Sequence, residues 1–363
     1  MLNFSSFLFV SLFSIILNAQ DAFDGYTLYT PGGGAGGSSG TTYLKDGNGS
    51  TIHTWSHDCG PASMPYLIPG DEPGLENSLL YYPCKSSNPT MNTGGTGGQI
   101  KIYNWDGDLL HSKTFSDNTY QHHHDIEPML NGNYLVVAWE RLYSSEWQEL
   151  GRTSVNNNLY QMWTTAIFEV EPDFDTGGGE IVWEWHIKDH LVQDRGPQYT
   201  ATYGNISDHP ELMDVNCGNA GSSGGPGGAN GDWMHINAID YNEDLDQIVL
   251  SSRFQGEIYI IDHSTTTEEA AGHTGGLYGR GGDFLYRWGN PQNYDRGNSS
   301  DEILDSQHGV NWIPEGSPGA GNLILYNNRH TNSQAAVLEI KPPINSNGTY
   351  ELNGTQAYGP DSW

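Results

Sequence analysis

The sequence predicts an all-β chain folded as a β-propeller, and three observations carry that expectation. The apolar runs are short and rich in Val, Ile, Tyr and Trp, with helical periodicity nearly absent. Glycine supplies 47 of the 363 residues without a G-X-Y period, which excludes collagen and points to frequent turns. One β unit also recurs at long, irregular intervals, as propeller blades do.

In chain order, strands are expected at Gln99–Trp105, Tyr134–Trp139, Ile181–His186, Gln247–Ser251, Glu257–Ile261, Phe284–Trp288 and Asn322–Tyr326. Gly- and Ser-rich stretches at Gly32–Gly40 and Gly218–Gly231 read as long loops, and one short helix is expected over Ile187–Gln193. The repeat opens on a histidine, crosses a polar turn, enters an apolar strand and closes on an arginine. Its copies are HDIEPMLNGNYLVVAWER from His124, HINAIDYNEDLDQIVLSSR from His235 and HGVNWIPEGSPGAGNLILYNNR from His308, ending at Arg141, Arg253 and Arg329. A weaker copy without histidine runs from Met64 to Tyr82. The innermost strands of a propeller line its axis, so equivalent positions of successive blades converge. His124, His235 and His308 are therefore expected at one mouth of the channel.

Residues 1–19 read as a secretory signal peptide, with an apolar run from Phe7 to Leu17 and Ala19 before Gln20. The run is short for a membrane anchor, and no second run is long enough to span a bilayer. The mature chain is expected in the periplasm or outside the cell, as one propeller domain over 20–363. From Tyr43 onward the sequence holds about four full units and part of a fifth. Either the N-terminal segment supplies the last strands, or the domain is C-terminally incomplete. Of Cys59, Cys84 and Cys217, the first two are closest and form the expected disulfide of an exported protein. Without a C-x-x-C there is no support for a cysteine metal site.

The 14 Lys and Arg stand against 44 Asp and Glu, a net charge of −30, which excludes a general basic face for nucleic acid or anionic lipid. A positive site in such a chain must be built locally. Arg253, at the end of the His235 unit, is one candidate, and a surface salt bridge is its plainer reading. Metal binding by His124, His235 and His308 would be opposed by an arginine in the same mouth, whereas sulfate or phosphate would suit it. His235 and Asn237 stand two apart, so a regular strand presents both on one face, where Asn237 could donate to an oxyanion. By the same alternation at most two of His122, His123 and His124 face one site, and Asp125 could orient a ring; a solvated loop triplet is the plainer reading. His186 and His190 read as packing, and His263 and His273 as loop residues able to reach the mouth.

The stretch DWMHINAIDYNEDLDQIVLSSRFQGEIYIIDHSTTTEEAAGHTGGLYGRGGDFLYRWGNPQNY closely resembles the exported bacterial arylsulfotransferases, as do HHHDIEPMLNGNYLVVAWE, IVWEWHIKDHLVQD and SQHGVNWIPEGSPGAGNLILYNN. The resemblance spans roughly Gln99 to Tyr326. It implies a six-bladed propeller that moves a sulfuryl group from a phenolic sulfate ester to another phenol, through a transient sulfohistidine and without adenosine phosphosulfate. On that resemblance His308 matches the nucleophile, and His235, Asn237 and Arg253 the sulfate-binding group. A further histidine falls at His123 or His124, with the register open. The implied partners are a small aryl sulfate donor and a phenolic acceptor, with no cofactor, metal or nucleic acid, no membrane once the leader is removed, and a homodimer left open. The competing readings are a non-catalytic secreted propeller that binds glycans or proteins, and a metal-dependent lyase or hydrolase.

Overall fold

Five antiparallel sheets carry the chain in the computed structural model, which describes residues 25–32, 39–70, 73–224, 228–331 and 334–363. The first holds β1 (Thr27–Tyr29), β2 (Gly40–Lys45) and β3 (Thr51–His57). The second holds β4 (Tyr66–Ile68), β5 (Leu79–Lys85), β6 (Gly98–Tyr103) and β7 (Leu109–Thr114). The third holds β8 (Tyr120–Pro128), β9 (Tyr134–Leu142), β10 (Met162–Pro172) and β11 (Gly179–His186). A minor sheet follows, in which β12 (Leu191–Gln193) pairs in parallel with β13 (Thr202–Tyr203) and β14 (Met213–Asp214). The fourth antiparallel sheet holds β15 (Ile236–Asn242), β16 (Gln247–Ser252), β17 (Glu257–Asp262) and β18 (Tyr286–Trp288). The fifth holds β19 (His308–Trp312), β20 (Leu323–Thr331) and β21 (Gln334–Ile340). This is a β-propeller, with five antiparallel sheets among the described residues where the resemblance implied six blades.

The recurring sequence unit is the first hairpin of a blade. The three histidine copies are β8–β9, β15–β16 and β19–β20, and the copy without histidine is β4–β5. The strands are near-continuous apolar runs because blades stack face to face and bury both sides. On β9, Leu135 and Val137 enter the seam with the fourth blade, while Tyr134, Val136 and Ala138 enter the seam with the second. On β16, Ile248 and Leu250 face the third blade and Val249 the fifth. Trp55 and Leu44 close the seam between the first blade and Tyr82 and Leu80 of the second.

The expected helix over Ile187–Gln193 is instead one 3-10 turn, Ile187–Asp189, followed directly by β12. Parallel pairing of β12 with β13 and β14 takes the backbone groups a helix would have satisfied internally. The described α-helices are short ones at Ser144–Glu149 and Thr267–Ala270. Cys59 and Cys84 are bridged as expected, and Cys217 is free and buried. The signal peptide expected at 1–19 lies outside the described residues, among which no helix is long and apolar enough to cross a membrane.

Successive first strands are clasped by carboxylates near the axis. Asp125 of β8 accepts from the Tyr66 hydroxyl of β4 at 2.8 Å and from the Ile239 amide of β15 at 3.3 Å. Asp240 of β15 accepts from the Trp312 amide of β19 at 2.5 Å. Burial pushes both carboxyls up to about 6, against these stabilising hydrogen bonds. Glu127 has no such donor among the described residues, and burial, then the Asp240 and Asp125 charges, push it up to about 9. Its folded form is therefore protonated at neutral pH while its unfolded form is ionised. That costs stability progressively as pH rises from about 4.5 towards 9, up to ~1.4 kcal/mol per unit. Glu127→Gln should thus stabilise the fold at pH 7 by about 1–3 kcal/mol and leave it unchanged near pH 4. Thermal melts at the two pH values check this; an equal difference at both would contradict it.

Candidate active site

The histidine mouth is built where two first strands break their regular pairing. The β8–β9 register shifts between His122 and Ile126, and the β15–β16 register between Ile236 and Ala238. His124 and His235 adopt left-handed backbone conformations at these breaks, with φ of 56° and 52°. Such conformations cost non-glycine residues of order 1 kcal/mol each, so the surroundings must hold them. At His235 the holding group is Asp232, which is 1% exposed. One carboxylate oxygen accepts from the His235 amide at 3.2 Å and from the Trp139 indole at 2.9 Å, and the other meets His235 Nδ1 at 2.5 Å. Nδ1 thereby donates to the carboxylate, leaving Nε2 to the mouth. The His235 ring stacks on Phe254 with centroids 4.6 Å apart.

The bulge at His122–Ile126 overrides strand alternation, so consecutive histidines meet each other. His122 turns away from the mouth and accepts the Gly98 amide on Nδ1 at 3.0 Å. His123 lies fully buried, stacked on Trp139 at 4.0 Å, with its Nδ1 2.8 Å from His124 Nδ1. His124 is the ring that faces the others, 4.5 Å from His235 centroid to centroid. Burial holds all three rings below the ordinary histidine range, His122 at about 3 and the other two well down. His235, His308 and Arg253 also depress His124, so all three stand within electrostatic reach of its ring. The Asp125 carboxylate does not orient any of these rings; it is taken up by Tyr66 and Ile239.

His308 opens β19, the first strand of the fifth blade. Its Nδ1 lies 3.0 Å from the Ser306 carbonyl and 2.9 Å from Asn328 Oδ1. A carbonyl only accepts, so Nδ1 carries the proton and Nε2 the lone pair. Asn237, in the β15 bulge, donates from Nδ2 to the Gln307 carbonyl at 2.7 Å and so fixes the segment entering His308. Its other N–H is left, and its Oδ1 is buried without a partner among the described residues. Asn237 stands where the β15–β16 register shifts, so regular strand alternation does not apply to it.

Arg253 hydrogen-bonds through its backbone to the His235 carbonyl at 3.2 Å and lays its guanidinium over the Phe254 ring at 5.3 Å. Among the described residues that guanidinium makes no ion pair, so the plainer surface-salt-bridge reading does not hold. Arg141, at the equivalent end of the His124 unit, is bonded to the Thr90 carbonyl, and Arg329 is exposed. The mouth thus combines one unpaired guanidinium with several imidazoles, a setting for an anion and for nitrogen lone pairs. Among the described residues its histidines do not form a cluster of three within metal-ligand reach.

The remaining histidines lie elsewhere. His186 bonds Glu140 at 3.1 Å, and His190 packs between Asp283 and Ala270, both as the packing roles expected. His263 does not reach the mouth; it bridges Asp246 at 2.6 Å and Glu169 at 3.1 Å across two blades. His273 instead bonds Asp283. Sequence reading missed Asp232, Trp139 and the glycine loop before β6. Asp232 could have been found, since it opens DWMHIN three residues before His235. The TGGTGG run of Thr93–Gly98 was equally visible. Gly95 has φ of 84°, and its carbonyl accepts the His124 amide at 2.7 Å.

Comparison with known proteins adds one assignment. The family described as Arylsulfotransferase (ASST) matches residues 85–353. No curated protein matches the chain. Among solved structures, hydrazine synthase of Kuenenia stuttgartiensis aligns at 10% identity over 84% of this chain and 68% of its own, with a TM-score of 0.43. The periplasmic gluconolactonase PpgL of Pseudomonas aeruginosa aligns at 11% identity over 92% and 97%, with a TM-score of 0.37. The Dos1 propeller aligns at 12% identity over 82% and 64%, with a TM-score of 0.28. These likenesses say nothing of chemistry.

A side chain at Gly95 would meet the His124 ring, since its Cβ would stand 2.1 to 2.4 Å from three ring atoms. Gly95→Ala should therefore displace His124 and cost about 1–3 kcal/mol, strain at positive φ included. Thermal melts and the His124 imidazole resonances read both effects; resonances identical to wild type would show that the loop does not set the ring.

Proposed function

The chain belongs to the arylsulfotransferase family, and from that premise we propose that it transfers a sulfuryl group from a phenolic sulfate ester to an acceptor phenol, through a sulfohistidine at His308 and without adenosine phosphosulfate. The observation that carries the reading is that His308, whose Nδ1 proton is fixed by Ser306, and the unpaired Arg253 guanidinium both stand within electrostatic reach of the His124 ring. In the first half-reaction the Nε2 lone pair of His308 attacks sulfur. The N–S bond forms as the S–O bond to the aryl group breaks. Transfer of this kind passes through a loose transition state with charge on the peripheral oxygens, so positioning and neutralisation are the protein's main tasks. Arg253, the free Asn237 N–H and His124 meet those oxygens. His123 holds the His124 tautomer from behind.

His235 is the acid and base. Asp232 stabilises its ring when doubly protonated, and the proton on Nε2 passes to the departing phenolate. In the second half-reaction His235 takes the proton of the incoming phenol, whose oxygen attacks sulfur as the N–S bond breaks. Protons and charge return to their starting state. Export through the leader at 1–19 to an oxidising compartment completes the proposal, and the Cys59–Cys84 bridge supports it.

His308→Ala should abolish both phenol release and acceptor sulfation. His235→Ala should lose about 10²–10⁴-fold with poorly activated donors yet keep measurable turnover with a nitrophenyl sulfate, whose phenol leaves without protonation. Kinetics should be ping-pong, because the sulfuryl group waits on the enzyme. Sequential kinetics, or a His308→Ala protein near wild-type rate, would remove His308 from the role.

Arg253→Ala should lower kcat by about 10²-fold and abolish the weak inhibition by free sulfate or phosphate that an open anion pocket implies. Isothermal titration with sulfate checks the second effect; equal affinity in variant and wild type would place the anion elsewhere.

A further inference from the structure

We propose that His190, His273 and Asp283 form a zinc site that pins the third blade to the fourth. The site is remote in role from the sulfuryl chemistry and does not depend on it. His190 follows β11 of the third blade, whereas His273 and Asp283 lie in the segment between β17 and β18 of the fourth. Nδ1 of His190 and Nδ1 of His273 each stand 2.8 Å from the same oxygen of Asp283. The three ligand atoms lie within 4.8 Å of one another. Two imidazoles and a carboxylate are a donor set zinc favours, with a fourth position left to water.

The proton count on His190 makes the inference specific. Its Nε2 is 2.8 Å from the Ala270 carbonyl, which only accepts, so Nε2 must carry a proton. A neutral imidazole has one N–H, which leaves Nδ1 with a lone pair aimed at a carboxylate oxygen. Two lone pairs at that separation need a cation between them. A zinc ion satisfies both, and leaves Nε2–H on Ala270 as the outer hydrogen bond that orients a liganding histidine. The ring is held for that purpose. It stacks on Trp185 at 5.5 Å and 4°, and the Trp185 indole donates to the Gly282 carbonyl at 2.8 Å. A Cβ at Gly282 would stand 2.6 Å from His190 Nε2. Ligand atoms around tetrahedral zinc are separated by ~3.3 Å, so the contacts must open by about half an ångström. His273 is half-exposed and free to give that room, and it opens the site to an ion from solvent. The −30 charge favours the cation's approach.

A second proton on His190 would also separate the lone pairs, but it would not require His273. The test uses that difference. The full chain, stripped with EDTA, is equilibrated with zinc alone, and wild type is compared with His273→Ala, a change at a half-exposed position that leaves the core intact. Wild type should bind one more zinc equivalent than the variant at micromolar free zinc, with affinity at least ~100-fold tighter at that site. Its melting temperature should rise with zinc while that of the variant does not. Cobalt(II) in place of zinc should give the visible absorption of a four-coordinate ion in wild type only. Equal stoichiometry in the two proteins, or melting temperatures that zinc leaves unchanged, would overturn the proposal.

Discussion

The mouth of this propeller depends on one buried carboxylate. Asp232 is nearly inaccessible, and a charge so placed is tolerable only when donors surround it. Its donors come from two blades: the Trp139 indole from β9, and the amide and ring of His235 at the head of β15. Each of these contacts fixes something else. The amide contact holds His235 in its left-handed conformation, and the ring contact chooses its tautomer. The indole contact sets Trp139 as the platform on which His123 stacks, and His123 in turn meets His124. Removing the carboxylate would therefore disturb three histidines, only one of which it touches.

A propeller blade pairs its strands internally, so cohesion between blades must come from apolar seams and side-chain ties. The seams use both faces of strands such as β9 and β16. The ties use the chain's scarce basic groups. His263 joins Asp246 of its own blade to Glu169 of the third, and although burial works against its charge, these two carboxylates raise it to about 9. Within blades, His186 and Lys188 share Glu140 in the third, and Arg287 pairs with Glu257 in full burial in the fourth. Arg253 differs in making neither an ion pair nor a side-chain hydrogen bond among the described residues. Its guanidinium lies over the Phe254 ring, within electrostatic reach of His124, and in the proposed reaction is left to meet an incoming anion.

The channel is accordingly polar in two opposite senses. Imidazoles and Arg253 occupy the mouth, and the carboxyls of Asp125, Glu127 and Asp240 lie along the first strands β8 and β15. Two of those carboxylates are satisfied by hydrogen bonds from the next strand, so they serve as clasps. The third is held neutral. In the proposed reaction an anionic donor would be drawn to the mouth by Arg253.

Much of this was legible in the amino-acid sequence. Alternation of polar turns with β-rich apolar runs located the strands, and the His-to-Arg repeat marked the first hairpins of three blades. Equivalence of blades then implied that His124 and His235 would meet, as their rings do, and proximity in sequence, in a chain read as exported, implied the Cys59–Cys84 bridge. What sequence could not decide was direction. Alternation assumes regular strands, and the mouth is built where strands are irregular: it predicted neither that His123 and His124 would touch nor that His122 would turn away. Those outcomes come from bulges whose left-handed residues are held by groups distant in the chain, the Gly95 carbonyl at His124 and Asp232, itself held by Trp139, at His235. The same holds for Asn237, whose amide is claimed by a carbonyl seventy residues later. A local pattern can state which residues face inward. Which ring nitrogen points where depends on non-local hydrogen bonds, and only the tertiary structure supplies those.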